Sequence, residues 1–204
     1  MNIFNSQNTT STLFNQRVMI LIAMIIILVF FVSLGAPQFI SERTFNNLIN
    51  NMSILAIVSL GQMIVMITAG IDISVGTAMG LVAMTVGLVL IEYPDLHPAL
   101  AILIGMILGA IMGFINGMLV VKGKIVALIA TLATMNIFRG INVLINNLFY
   151  EGQYIGAEKL SPEFKALTKI EVIGLPVMLY YVLFLYIVFY FILHHSRFGR
   201  QIYA

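Results

Sequence analysis

The sequence predicts an all-α, polytopic helical membrane protein with about six transmembrane helices. Of its 204 residues, 61% are hydrophobic and 9% are charged, and the mean hydropathy is +1.06. Soluble domains are about one quarter charged, so this chain has too few charged side chains to cover a water-soluble globule. Its net charge of +2 is too small to indicate a nucleic-acid partner. The lipid membrane is therefore the expected environment.

Six apolar runs approach the roughly 20 residues that a helix needs to cross a bilayer. They cover residues 18–34, 53–69, 77–93, 99–121, 125–145 and 177–194. The first run is longer than the apolar part of a signal peptide, so we expect it to stay uncleaved. The predicted organisation is a cytoplasmic tail at 1–17, a transmembrane region at 18–194 and the start of a cytoplasmic segment at 195–204.

The distribution of basic residues predicts the orientation of these spans. If the amino terminus is cytoplasmic, the short inner connections carry basic side chains and only one acidic one, Asp72. Their basic residues are Arg17, Lys122, Lys124, Arg197 and Arg200. This agrees with the positive-inside rule, and it places the longest connections, residues 35–52 and 146–176, on the outside.

A short stretch between the second and third runs contains Asp72, the only acidic residue between Glu42 and Glu92. A lone carboxylate in apolar surroundings is costly and is a candidate functional group. Gly70 and Gly76 flank it, which predicts a break in the helix of the kind that marks transporter binding sites. Asp72 or Ser74 is equally explained as the N-cap of the next helix, and the two interpretations are compatible.

Further polar residues lie inside the fourth and fifth runs and are candidates for a substrate pathway. They are Asn116, Thr131, Thr134, Asn136 and Arg139. Arg139 has two interpretations. Its long side chain either extends to the outer interface or faces a polar cavity, where its donors bind sugar hydroxyls or the carboxylate of Asp72.

The fourth run also carries small residues at every fourth position, which form one smooth ridge on a helix. They are Ala101, Gly105, Gly109, Gly113 and Gly117. Small residues let membrane helices approach closely, so the ridge predicts tight packing within one subunit, or alternatively a dimer contact.

The sequence predicts no enzyme, no cofactor and no metal site. There are no cysteines, and His97 is expected on the opposite side of the membrane from His194 and His195. The glycine-rich nucleotide-binding motif of P-loop ATPases is absent, and no catalytic constellation is recognisable.

Three ordered motifs carry a family resemblance. Residues 69–76 read Ala-Gly-Ile-Asp-Ile-Ser-Val-Gly, and residues 196–200 read Ser-Arg-Phe-Gly-Arg. Between them lie Asn116, Gly117, Val120, Lys122, Ile129, Thr131, Leu132, Thr134, Met135, Arg139 and Gly140. At these positions the chain resembles the permease family of bacterial ribose-, xylose- and arabinose-type sugar ABC importers, which includes autoinducer-2 import permeases.

The resemblance implies the N-terminal part of an ABC importer permease fold in the bacterial inner membrane. Such a subunit moves a monosaccharide or similar small polyol inward by alternating access. The implied partners are a P-loop ATP-binding subunit, a periplasmic sugar-binding protein and a second permease in a homo- or heterodimer. The implied contact with the ATP-binding subunit comprises Arg197, Phe198, Gly199 and Arg200.

Members of that family are usually longer and continue past the last motif. The chain is therefore expected to be a fragment, a truncated product or one half of a split permease. The alternative functions are an inactive permease remnant and a non-transport membrane assembly subunit. A channel or secondary carrier is disfavoured because paired intramembrane charges are missing.

Overall fold

A computed structural model of the chain describes residues 6–34, 41–151, 156 and 159–204. Within these ranges the chain forms eight α-helices and one two-stranded antiparallel sheet. The helices are α1 (Ser6–Ser33), α2 (Glu42–Ile67), α3 (Val75–Glu92), α4 (Pro98–Val121), α5 (Ala127–Tyr150), α6 (Pro162–Lys169), α7 (Val177–His195) and α8 (Arg197–Tyr203). The strands are β1 (Glu171–Val172) and β2 (Leu175–Pro176), paired with Glu171 opposite Pro176.

Five helices, α2 to α5 and α7, are long and apolar enough to cross a membrane. The first predicted run lies in α1, whose apolar part Val18–Val32 is shorter. The prediction of a polytopic all-α membrane protein is confirmed. The sheet is a small addition that the sequence did not indicate.

The helix boundaries differ from the prediction in two connections. Helix α2 already begins at Glu42, because the Ser41 hydroxyl accepts the Thr44 backbone N–H at 3.2 Å and caps the helix there. Residues 35–40 of the predicted connection lie outside the described part. In the predicted connection at 146–176, α5 continues to Tyr150, and α6 and the hairpin follow. Residues 152–155 and 157–158 of that connection are also outside the description.

The chain divides into two compact units, Met1–Leu48 and Ile49–Ala204. The first contains α1 and the start of α2. In the second, α3 packs against α4 and α5, α4 packs against α5, and α7 packs against α6 and α8. Small residues permit the close contact of α3 with α4. A Cβ added to Gly105 would lie 3.3 Å from the Val82 side chain.

Candidate functional site

Residues 68–74, which we call the break segment, separate α2 from α3. The backbone leaves the helical conformation after α2 at Ala69, whose φ of +56° lies in the left-handed region. Gly70 permits a close approach to Val65. An added Cβ would lie 3.1 Å from the Val65 side chain and 3.2 Å from the Val65 carbonyl oxygen. Gly76 lies in the first turn of α3. The break is therefore present where it was predicted, but a left-handed alanine and a close approach at Gly70 shape it.

The polar cluster, as we call Asp72, Ser74 and Asn116, joins the break segment to α4. Asp72 Oδ1 accepts hydrogen bonds from the Ser74 backbone N–H at 2.8 Å and from the Ser74 hydroxyl at 2.7 Å. The Asn116 side-chain amide donates to the Ser74 oxygen at 2.8 Å. Ser74 is 1% exposed and Asn116 is 7% exposed. Three residues selected from the sequence thus form one network, in which Ser74 and Asn116 are buried and Asp72 is partly exposed.

Ser74 is the N-cap residue of α3, but its side chain makes no capping hydrogen bond. Its hydroxyl is directed to Asp72 and Asn116 instead. Asp72 accepts the N–H of Ser74 itself and closes a tight turn ahead of the helix. One interpretation of this stretch was that Asp72 or Ser74 caps the first turn of α3. The geometry does not favour that interpretation.

Helices α2 and α5 hold the break segment from both sides. The Thr131 hydroxyl lies 3.3 Å from the Ile71 carbonyl oxygen, to which it donates, and 3.4 Å from the Ile73 backbone nitrogen, from which it accepts. The Gln62 side chain donates to the Asp72 carbonyl oxygen. Thr131 was selected from the sequence and Gln62 was not. A polar amide in an apolar run, ten residues before Asp72, is the signal that would have found it.

A cavity of ≈ 620 Å³, the α3–α4 groove, runs along these two helices. The polar cluster lines it at the start of α3, and Leu90 and Ala101 line it where α3 ends and α4 begins. Apart from the cluster, its described lining is apolar or glycine, and Leu160 and Phe164 contribute to it. The groove is therefore an open apolar cleft with hydrogen-bonding groups concentrated at one level.

The small-residue ridge of α4 has two different roles along its length. Gly105 packs against Val82 and Val86 of α3, as expected for a helix contact. Gly109 and Gly113 line the groove, and an added Cβ at either position, or at Gly117, would meet nothing within 4 Å. Among the described residues, the ridge packs tightly at Gly105 and is open from Gly109 to Gly117.

The polar residues of α5 divide between two faces of the helix. Thr131 and Thr134 are buried at 3% and 2% exposure, and the Thr134 hydroxyl donates to the Thr131 carbonyl oxygen. Asn136 and Arg139 are exposed, and the Asn136 amide donates to Leu132 of its own helix at 2.8 Å. Neither of these two lines the groove. Arg139 lies near the middle of the 24-residue helix.

A second group of asparagines was not selected from the sequence. The side-chain oxygens of Asn50, Asn142 and Asn146 are buried and have no hydrogen-bond partner among the described residues. Asn142 faces Gly80 of α3, where an added Cβ would lie 3.6 Å from its amide nitrogen. Asn142 and Asn146 are four residues apart on α5, and this i, i+4 spacing is the sequence pattern that could have identified them.

The Ser-Arg-Phe-Gly-Arg motif forms the sharp corner between α7 and α8. The Ser196 hydroxyl caps α8 by accepting the Gly199 backbone N–H at 3.0 Å. Gly199 is buried, and an added Cβ would collide with the carbonyl oxygen of Leu193. Arg197, Phe198 and Arg200 are exposed. The motif therefore combines a required glycine with three outward-facing side chains.

Comparison with known proteins identifies the family. Residues 44–204 match the family described as a branched-chain amino acid transport system permease component. The chain belongs to this permease family. All three sequence motifs, the α3–α4 groove and the polar cluster lie inside the matched region.

Relatives of this permease-family chain include two ribose import permease proteins. The one from Bacillus subtilis (strain 168) is 35% identical over 178 residues, which cover 87% of this chain and 53% of the relative. The one from Haemophilus influenzae is 34% identical, covering 88% of this chain and 54% of the relative. The autoinducer 2 import system permease protein of Salmonella typhi is 33% identical, and the match covers 89% of this chain and 51% of the relative.

The chain spans about half the length of the curated relatives it matches. The names of these relatives describe permease proteins of import systems. No solved structure matches the chain significantly. Family and fold together identify a multi-pass membrane protein of the permease type.

Proposed function

We propose that this chain is a membrane-spanning permease subunit of an ATP-driven sugar importer. It moves a monosaccharide or similar small polyol into the cytoplasm by alternating access. The observation that carries the proposal is the polar cluster in the α3–α4 groove of a permease-family chain. The ribose and autoinducer-2 permeases among the relatives support this substrate class.

The groove suits a sugar because its walls and its polar level match the two kinds of sugar surface. Apolar walls accept the C–H faces of the ring, and the cluster offers hydrogen bonds to hydroxyl groups. A few well-placed polar groups in an apolar pocket are typical of ligand sites. Non-helical backbone at membrane depth is tolerated where it lines a cavity, which fits the position of the break segment.

The proposed assembly contains further subunits. Because the sequence has no P-loop, a separate P-loop ATP-binding subunit supplies ATP hydrolysis. The exposed Arg197, Phe198 and Arg200 around the rigid Gly199 corner are the proposed contact for it. A periplasmic sugar-binding protein delivers the substrate, and a second permease completes the transmembrane part. The proposed location is the bacterial inner membrane.

The test is uptake of labelled D-ribose and other sugars by the importer reconstituted with its ATP-binding subunit and binding protein. Asp72→Ala is expected to lower uptake strongly at an unchanged membrane level. The matched control is Asp95→Ala, since Asp95 is exposed in the connection between α3 and α4. Normal uptake by Asp72→Ala would remove Asp72 from the pathway. Uptake of no sugar at all would overturn the proposed function.

A further inference from the structure

The hydrogen bonds around Ser74 determine the orientation of the Asn116 amide. A serine hydroxyl has one proton, and Ser74 donates it to Asp72 Oδ1 at 2.7 Å. The Ser74 oxygen is therefore an acceptor toward Asn116, 2.8 Å away. The group of Asn116 that faces Ser74 must be the Nδ2 donor, which directs Oδ1 away from Ser74.

This arrangement leaves acceptors without donors at the polar level of the groove. Asn116 Oδ1 is buried and has no hydrogen-bond partner in the described part of the chain. Asp72 Oδ2 has one long contact, 3.5 Å from Asn116 Nδ2. The donors of the cluster, namely the Ser74 backbone N–H, the Ser74 hydroxyl and the Asn116 amide, already have acceptors. An unpaired buried acceptor is costly, so a donor supplied from outside is favoured.

The rest of the groove offers nothing to an anionic ligand. None of the described lining residues is lysine, arginine or histidine. A ligand carboxylate would lose its hydration there, would find no donor and would face the negative charge of Asp72. A neutral ligand with several hydroxyl groups meets none of these penalties.

We propose that Asp72 Oδ2 and Asn116 Oδ1 form a hydroxyl-binding subsite that accepts hydrogen bonds from two hydroxyls of a neutral polyol. The inference rests on the proposed function and deepens it, because it assigns the discrimination between neutral polyols and anionic ligands to this chain. Space for the ligand lies beside Asn116, since an added Cβ at Gly113, one turn earlier on α4, meets nothing within 4 Å. Asn116 Oδ1 has almost no exposed surface, so α3 or α4 must shift before a hydroxyl reaches it.

The experiment measures equilibrium binding of D-ribose, its singly deoxygenated analogues and the anionic sugar acid D-ribonate to the full chain in lipid nanodiscs. At least one deoxy analogue is expected to bind about tenfold more weakly than ribose, because the loss of a hydroxyl leaves an acceptor of the subsite unpaired. D-ribonate is expected not to bind, because its carboxylate meets no basic side chain in the groove. This comparison of ligands uses the unaltered chain, so it remains decisive even if substitutions at Asn116 impair folding.

The variant Asn116→Ala then locates the subsite. Its affinity for ribose is expected to fall about tenfold, and its preference for ribose over the sensitive analogue is expected to shrink to within about twofold. Asn147→Ala, an exposed asparagine of α5, is the matched control and should bind as the wild type does.

Equal binding of all deoxy analogues, an unchanged preference in folded Asn116→Ala, or no polyol binding up to the solubility limit would each overturn the subsite. Ribose uptake by the assembled importer in any of these cases would leave the proposed function standing. Uptake of L-leucine instead of sugars would overturn both.

Discussion

Asn116 of α4 donates its side-chain amide to the hydroxyl of Ser74, 42 residues earlier in the chain, over 2.8 Å. Both side chains are buried, so the bond is shielded from competing water. In apolar surroundings, loss of either partner leaves the other without compensation. This one contact fixes α4 against the start of α3 at the level where the groove is polar.

The first prediction concerns the centre of that network. Ser74→Ala removes both the donor to Asp72 and the acceptor for Asn116, and should lower the free energy of unfolding by about 1–3 kcal/mol. Denaturation in detergent micelles measures the change. Ser59→Ala is the control, because its exposed hydroxyl bonds only to Ala56 of its own helix. Equal stability of the two variants would contradict the role assigned to Ser74.

The second prediction concerns the link from α5 to the break segment. Thr131→Val keeps the shape of the side chain but removes the hydroxyl that lies between the Ile71 carbonyl and the Ile73 N–H. We expect the free energy of unfolding to fall by about 1–2 kcal/mol and the backbone amide of Ile73 to exchange its hydrogen faster. Thr134→Val is the matched control, since its hydroxyl bonds to a carbonyl of its own helix. Exchange at Ile73 that is unchanged in Thr131→Val would contradict the link.

The third prediction separates the two roles of the α4 ridge. Gly105→Leu should destabilise the chain by about 1–3 kcal/mol, because Val82 and Val86 already contact that position. Gly109→Leu should leave stability nearly unchanged and should block the groove, since nothing lies within 4 Å of an added Cβ there. Thermal unfolding and ribose uptake distinguish them. Equal destabilisation by both variants would mean that the ridge has one role only.

The sequence was sufficient to predict five long apolar helices and to select the members of the polar cluster, because a polar residue in an apolar run stands out. It was not sufficient to predict which polar residues of α5 face inward. Thr131, Thr134 and Asn136 are too close together in the chain for spacing to decide, and only packing against the break segment selects a face. Ala69 was unpredictable for a different reason, since an alanine gives no local signal of a left-handed backbone.

The fourth prediction concerns the corner between α7 and α8. Gly199→Ala places a Cβ against the Leu193 carbonyl, a backbone atom that cannot rotate away, so α8 must leave its position. Hydrogen exchange of the α8 amides should accelerate at least about tenfold. Gly140→Ala is the control, because an added Cβ there meets nothing within 4 Å. Unchanged exchange in Gly199→Ala would show that the corner tolerates a side chain.

The fifth prediction concerns Arg139, which is exposed near the middle of α5. Arginine at the centre of a membrane helix disfavours insertion by about 2.5–3.5 kcal/mol, whereas leucine favours it by about half a kcal/mol. Arg139→Leu should therefore improve insertion of the isolated Ala127–Tyr150 segment by about 3 kcal/mol in a glycosylation-based assay.

Ile137→Leu in the same segment is the control and should change insertion by less than about 0.5 kcal/mol. No gain from Arg139→Leu would mean that the guanidinium already reaches the interface, as one interpretation of the sequence proposed. A gain of the expected size would mean that the full chain retains α5 in the membrane against this cost. Its contacts with α3 and α4, together with the Thr131 bonds to the break segment, are the interactions available to offset it.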